Sequence, residues 1–314
     1  MLFAGVDIGG TTIKIGMIDE YGEIHAQYSY PTKAEIGKDA SVQWICDVCQ
    51  EILAKHPDMV AFGLGCPGVV NPHDRSVYYP PNLVGWDIVP LAQLVETATG
   101  KPAFIDNDAN AAAIAELEVG AGAGLPYFLY ITLGTGVGGG IVVDGKIFSG
   151  ERGGAGEVGH IVVDIHAEPQ AGQLNFQPGT LEELLGRKGL IAMAKRYAKQ
   201  YPDSYLNTVE DLDVKHISEG VERNDPASIA CFTFAGKILG LGIASILHLF
   251  DMRIVIIGGG VSQAHPIFLD TARATLKHRA MPTIANEAEI RLAKFGSTAG
   301  IVGAAMLAKH HFKP

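Results

Sequence analysis

Cysteine is scarce in this sequence: four residues in a chain of 314, too few for the disulfide framework of a small secreted domain. Cys46 and Cys49 form a C-x-x-C, but the surrounding SVQWICDVCQEILAKH has apolar residues at helical spacing. The pair is therefore expected on one face of a core helix, not at a redox centre. Cys66 and Cys231 are isolated. Positive charge is also in deficit, with 24 Lys and Arg against 34 Asp and Glu and a formal charge of −10. That balance argues against a surface built to neutralise nucleic-acid phosphates or to lie on anionic lipid. Long apolar runs are missing as well. Met1 to Gly10 carries no basic leader, and the run Ile238 to Leu247 meets His248 and Asp251 before it could span a bilayer. A soluble, cytoplasmic protein with small-molecule ligands, and with neither nucleic acid nor membrane as partner, is the expectation.

What the chain has in quantity is apolar residues, at 47%, and glycine, at 39 residues. The length and apolar content suit two cores. The glycines cluster at Gly9 and Gly10, Gly134 to Gly140, Gly150 to Gly159, and Gly258 to Gly260. Every cluster but the third follows a run rich in β-branched or aromatic residues, the pattern of strand, glycine turn, next element. Two clusters belong to a repeat. DIGGTTIKIGMID (Asp7 to Asp19) aligns without gaps on TLGTGVGGGIVVD (Thr132 to Asp144) at an offset of 125 residues. Each copy ends one strand, turns on glycine, runs on as a second strand and closes in a polar turn before a third. Two similar α/β domains facing across a cleft follow from this duplication. The expected boundaries are 1–117 for the first, rejoined by a C-terminal helix at about 296–314, and 118–295 for the second.

Glycine turns let backbone N–H groups approach a ligand closely, and Thr11, Thr12, Thr132 and Thr135 add hydroxyls. Such turns can cradle phosphates, although neither has Walker A spacing or sits in a strand, G-x-G-x-x-G, helix unit with an acid at the right distance. The third turn, IIGGGVS (Ile257 to Ser262), lies where α/β folds bind nucleotides, at the end of a strand, and serves equally as a tight connection. Asp7 ends the first strand beside its glycine turn, a place from which a carboxylate could hold hydrated Mg²⁺. Asp108, in FIDNDANAAAIAE, stands where an apolar strand hands over to an alanine-rich helix. Helix N-cap and general base are both open to it. Glu157 and His160 of GEVGH could be loop residues or hydrogen-bonding partners of a polyol.

Taken in order, DIGGTTIKIG, CPGVV, PNLVGW, DNDANAAAIAE, LGTGVGGGIVVDG, GEVGH, IIGGG and FGSTAGIVGAA make the chain resemble the ROK family of sugar kinases and related repressors over nearly its full length. That family belongs to the actin-like, ribonuclease-H-like ATPases. The resemblance implies two ribonuclease-H-like domains and an ATP- and Mg²⁺-dependent kinase acting on the 6-hydroxyl of a hexose, glucose first and N-acetylhexosamine, mannose or fructose next. It implies Asp108 as catalytic base. Sugar contacts would come from Gly68, Asn82, Asn107, Asp108, Glu157, His160 and Glu182, with Glu183 as Glu182's near neighbour. ATP phosphates would fall to Asp7, Gly9, Gly10, Thr11, Thr12, Gly134, Thr135, Gly136 and Gly138, with Gly258, Gly259 and Gly260 beside the adenosine. Asp7 would meet Mg²⁺ through water, Asp106 would face away or orient its neighbours, and a homodimer is implied.

The chain departs from the family at the zinc motif that follows GEVGH. Gln173, Asn175 and Thr180 stand where many members have cysteine, so no structural zinc is expected and His160 is left to the sugar. Two rivals use the same motifs. A sugar-responsive repressor would carry a DNA-binding extension ahead of a phosphate motif that here begins at Asp7, and a non-catalytic sugar-binding protein would not need Asp7, Asp108 and both turns. Polyphosphate as donor would want a run of Lys or Arg that the sequence does not show.

Overall fold

The structure is a computed structural model that describes residues 1–167 and 177–313. The chain forms two compact units, Met1–Pro126 with Gly140–Gly156 and Lys294–Pro314, and Tyr127–Gly139 with Glu157–Ala293.

In the first unit, β1 (Leu2–Ile8), β2 (Thr12–Asp19) and β3 (Ile24–Pro31) form an antiparallel meander, followed by α1 (Lys38–Lys55) and β4 (Ala61–Cys66). Short strands β5 (Val69–Asn71), β6 (Ser76–Tyr78) and β7 (Ile88–Val89) make a small sheet of their own. Helix α2 (Leu91–Thr99), strand β8 (Ala103–Asn107) and helix α3 (Asp108–Val119) follow. The main sheet has the order β3-β2-β1-β4-β8, with β1, β4 and β8 parallel.

The second sheet has the order β11-β10-β9-β12-β13, from β9 (Phe128–Leu133), β10 (Val137–Val143), β11 (Lys146–Ile147), β12 (Ile254–Gly258) and β13 (Glu289–Leu292). Its helices are α4 (Leu181–Leu185), α5 (Arg187–Gln200), α6 (Val214–Glu222), α7 (Pro226–Phe250), α8 (Ile267–Arg279) and α9 (Pro282–Ala285), and α10 (Ala299–His311) returns to the first unit. The fold is thus mixed α/β on two sheets of matching strand order. The repeat is visible in register: Asp7 lies opposite Gly65 of β4, and Thr132, its counterpart in the second copy, lies opposite Gly258 of β12.

Alternation along β1 sends side chains into two layers. Ala4, Val6 and Ile8 join α1 and α2 residues such as Ile45, Cys49, Ile52 and Val95 in one core, while Phe3 joins Ile114, Ile301, Val302 and Met306 of α3 and α10 in another. Covered on both faces, β1 and β4 are almost wholly buried, which is why they read as continuous apolar runs. The C-x-x-C does sit in helix α1, with both sulfurs buried and burial pushing the Cys49 thiol up, as a packing role requires. Helix α7 is longer than the run Ile238 to Leu247 suggested. Its 25 residues are, by length and composition alone, long and apolar enough to cross a membrane. Most of its side chains, Phe232, Leu239, Ile243 and Leu247 among them, are buried, and its neighbours are α4, α5, α6 and α8.

Helix α10 approaches its neighbours at backbone distance. A Cβ at Gly5 of β1 would overlap the Ile301 carbonyl, one at Gly63 of β4 the Ala304 carbonyl, and one at Gly303 the Ala111 carbonyl of α3. The chain's return is pinned by Glu116, which is fully buried and accepts N–H donors from Ala121 (2.7 Å), Lys294 (3.0 Å) and Phe295 (2.9 Å). Glu116→Ala strands those donors, and each buried unpaired donor costs about 1–3 kcal/mol. Gly303→Ala overpacks a backbone contact at a cost of about 1–3 kcal/mol or more. Urea unfolding monitored by circular dichroism is expected to show Glu116→Ala losing about 3 kcal/mol or more, with Gly303→Ala also destabilised.

Candidate functional site

In the first unit, the β1–β2 turn is closed by the Gly9 N–H donating to Thr12 O (2.9 Å) and held by the Thr32 hydroxyl donating to Gly9 O (2.6 Å). Thr11 is exposed and Thr12 half-buried. Gly10 abuts Asn82, where an added Cβ would come within 2.8 Å of the Asn82 Cβ. Asn82 adopts a left-handed backbone (φ 68°), a conformation asparagine tolerates. Its loop is anchored by buried Leu83 and Trp86, whose indole N–H donates to Ser41 Oγ (2.9 Å), so Asn82 itself stays exposed.

The strand-to-helix junction at β8 and α3 bears on one of the two readings left open for Asp108. Asn107, not Asp108, is the N-cap: its Oδ1 accepts from the Ala109 N–H (2.8 Å) and the Asn110 N–H (3.3 Å). Its other side-chain atom, Nδ2, donates to Gly68 O (2.9 Å), tying the helix head to the CPG loop. Asp108 is the first helical residue and exposed, with Oδ1 accepting from the Ala109 N–H (2.8 Å). Asp106 orients its neighbours, accepting from the Asn107 N–H (2.7 Å) and the Asn110 side-chain amide (2.8 Å). Asp7, one residue before the end of β1, lies against Gly300 of α10. Burial, reinforced by the Asp108 charge and partly offset by Lys14 across the strand pair, raises its carboxyl pKa from 3.8 to about 6. A half-buried carboxylate carrying excess negative charge from a second one fits the needs of a divalent cation.

In the second unit, the β9–β10 turn closes with the Gly134 N–H donating to Gly136 O (3.0 Å), and Gly138 lies within β10. Gly134, Thr135 and Gly260 line one cavity of about 510 Å³, so the second and third glycine turns share a wall. Gly258 and Gly259 do not line it. They pack instead against Tyr130 and Leu133, and Gly259 has φ 82°. The rest of the lining was not read from sequence, notably Arg187, Asp213, Lys215, Ser218, Glu219 and Gln263. Arg187 holds Asp213 by two hydrogen bonds of 2.8 Å, and that guanidinium brings the Asp213 pKa down to about 2. Asp213 also caps α6. The N-cap and capping-box pattern DVKH was the available signal, but nothing in it marks a ligand.

Glu157 and His160 flank a 3-10 turn whose Val158 and Gly159 are buried. Both side chains are exposed, His160 Nε2 lies 3.7 Å from Glu157 Oε2, and His160 Nδ1 lies 2.6 Å from Gln177 Oε1. Glu182, in the first turn of α4, accepts the Val137 N–H (3.0 Å) and stands beside Gly136. Its neighbour Glu183 turns the other way, toward the Gly179 N–H (3.3 Å). Of the zinc-motif positions, Gln173 and Asn175 lie outside the described residues. Thr180 caps α4 and donates its hydroxyl to Gln177 O (3.0 Å). Among the described residues there is no group of three His, Cys, Asp or Glu side chains able to hold a metal.

The model of the ROK family matches residues 3–311. A glucokinase of Halalkalibacterium halodurans is 34% identical over 317 aligned positions, covering 98% of this chain and 94% of that protein. The crystal structure of a ROK family glucokinase from Streptomyces griseus in complex with glucose and AMPPNP superposes with a TM-score of 0.81 at 34% identity, covering 99% of this chain and all of that one. A xylose repressor of Caldicellulosiruptor bescii is 26% identical, covering 95% of this chain and 76% of its own length.

The raised Asp7 pKa carries a signed consequence. A carboxyl whose folded-state pKa exceeds its unfolded value contributes stability below pH 3.8 that is lost as pH rises through about 6. Asp7→Asn is therefore expected to be more stable than the parent by roughly 1–2 kcal/mol at pH 8 and by nothing at pH 4. Denaturant titrations at both pH values check this, and an equal effect at the two would contradict it.

Proposed function

Because this chain belongs to the ROK family and is a sugar kinase, we propose that it transfers the γ-phosphoryl group of ATP to the 6-hydroxyl of a hexose, with glucose as the foremost substrate. The observation that carries this reading is the division of labour at the head of α3. Asn107 supplies the cap, while Asp108 beside it, the first helical residue, presents an exposed carboxylate held by the Ala109 N–H at Oδ1. A carboxylate so held can accept the proton of a hydroxyl whose oxygen attacks phosphorus. The O–H bond breaks toward Asp108 as the new P–O bond forms and the bond to the departing ADP oxygen opens.

Phosphoryl transfer has a loose transition state, so alignment and charge stabilisation supply most of the rate. Gly68, Asn82, Asn107, Glu157, His160 and Glu182 are proposed to meet sugar hydroxyls. The turns Gly9 to Thr12 and Gly134 to Gly138 are proposed to meet the phosphates. The cavity of about 510 Å³ walled by Gly134, Thr135 and Gly260 has a size that suits a nucleoside. Mg²⁺ would be held at Asp7 through water and would neutralise phosphate charge. Glucose rests on the Halalkalibacterium halodurans and Streptomyces griseus relatives. Mannose, fructose and N-acetylhexosamines are the alternatives, and discrimination among them depends on pocket shape around C2 and C4.

A coupled assay of ADP release with MgATP, across hexoses and N-acetylhexosamines, tests the reading. One sugar is expected to turn over, and Asp108→Asn is expected to lower its kcat by about a hundredfold or more while leaving the melting temperature near the parent's. No turnover by folded protein with any sugar would transfer the assignment to a sugar-binding regulator.

A further inference from the structure

The β9–β10 turn is clamped by residues from α4 and from the start of α5. The Arg187 N–H donates to Gly134 O (3.0 Å) and to Thr135 O (3.2 Å), and the Val137 N–H donates to Glu182 Oε2 (3.0 Å). The fit is close: a Cβ at Gly136 would overlap Glu182 Oε2, one at Gly159 would overlap the Val137 carbonyl, and one at Gly186 would sit 2.9 Å from Thr135 O. Leu181 and Leu185 are buried on either side and fix α4, while Glu182 is exposed. A carboxylate accepting a backbone N–H at a glycine turn makes the contact a phosphate oxygen would make there.

On the reading above, the turn Gly134 to Gly138 receives the donor's phosphates and Glu182 meets the sugar, which sets this carboxylate between two ligands. We propose that Glu182 is a positioning residue that acts as an internal anion on this turn. In the ligand-free protein its carboxylate takes the Val137 N–H and repels incoming phosphate. A sugar hydroxyl that engages the carboxylate draws it off the turn and frees the N–H. Sugar binding thus prepares the nucleotide site, and linkage requires the coupling to be reciprocal. Such a device limits nucleotide occupancy, and hence transfer to water, when no sugar is present.

Glu182→Gln keeps an acceptor of the same reach for the Val137 N–H and removes only the charge, at an exposed position. The measurement is the dissociation constant of the Mg²⁺ complex of AMPPNP, by calorimetry, for parent and variant, each with and without the hexose that the parent turns over. Without sugar the variant is expected to bind AMPPNP about tenfold more tightly than the parent, the scale of one like-charge repulsion a few ångströms away in a partly solvated site. Saturating sugar is expected to tighten the parent's nucleotide binding by a similar factor and the variant's not at all, and the variant's KM for sugar rises. Unchanged or weaker AMPPNP binding by the sugar-free variant overturns the proposal, and so does an equal sugar-induced gain in both proteins. The sugar-free arm needs no turnover. A parent that binds AMPPNP but phosphorylates no sugar would defeat the hexose kinase reading, while the carboxylate effect would still be read from that arm.

Discussion

Everything in the first unit is referred to the backbone contact between α10 and the sheet. Gly5, Gly63 and Gly303 let the helix rest on β1, on β4 and on α3 without intervening side chains. The ends of these elements then fall close together: Asp7, near the end of β1, lies against Gly300 at the start of α10, and the next turn of α10 lies on α3, whose first residue is Asp108. Close packing of backbone on backbone leaves little room for relative sliding, so the two carboxylates are held in place by the packing of the elements that carry them. Their mutual repulsion, which contributes to raising Asp7, is the electrostatic cost of that arrangement.

Supports of the same kind recur around the exposed polar residues. Asn82 projects from a loop held by Leu83 and Trp86, Glu157 and His160 from a turn whose Val158 and Gly159 are buried, and Glu182 from a short helix whose Leu181 and Leu185 are buried. In each case the apolar neighbours fix the backbone and the polar side chain is left for the solvent side. Precision in a binding site comes from such supports more than from the ligand-facing groups themselves.

Much of the fold was legible because the evidence for it is local. Strand, glycine turn and second strand occur twice in the sequence, and the paired registers of Asp7 with Gly65 and Thr132 with Gly258 show that the duplication extends to the sheets. The Asn107 cap was harder to read. Asn and Asp cap helices about equally well, and the role falls to Asn107, whose Oδ1 takes the Ala109 and Asn110 N–H groups while its Nδ2 reaches Gly68, 39 residues away. The cavity wall formed by Arg187, Asp213, Lys215 and Ser218 was not legible at all. These residues come from two helices and carry no shared spacing, so only folding brings them together. The length of α7 was underestimated for a different reason. Phe232 and Ala235 extend the apolar character toward Pro226, but Lys237 breaks the run as read along the chain.

The bonds from Glu116 to the backbone of Lys294 and Phe295 join residues 178 and 179 positions apart, with most of the second unit lying between them in the chain. Time of synthesis is the quantity this governs. The stretch Glu157–Ala293 is complete before α10 exists, whereas the first unit has to hold β1, β4 and α3 with one face uncovered until the final residues emerge. Non-local closure is slow, and apolar surface left open meanwhile invites association between chains. Strands β1 and β4 and helix α3 are thus made early and covered only once α10 has followed Glu157–Ala293, and in that interval their apolar face is open to association.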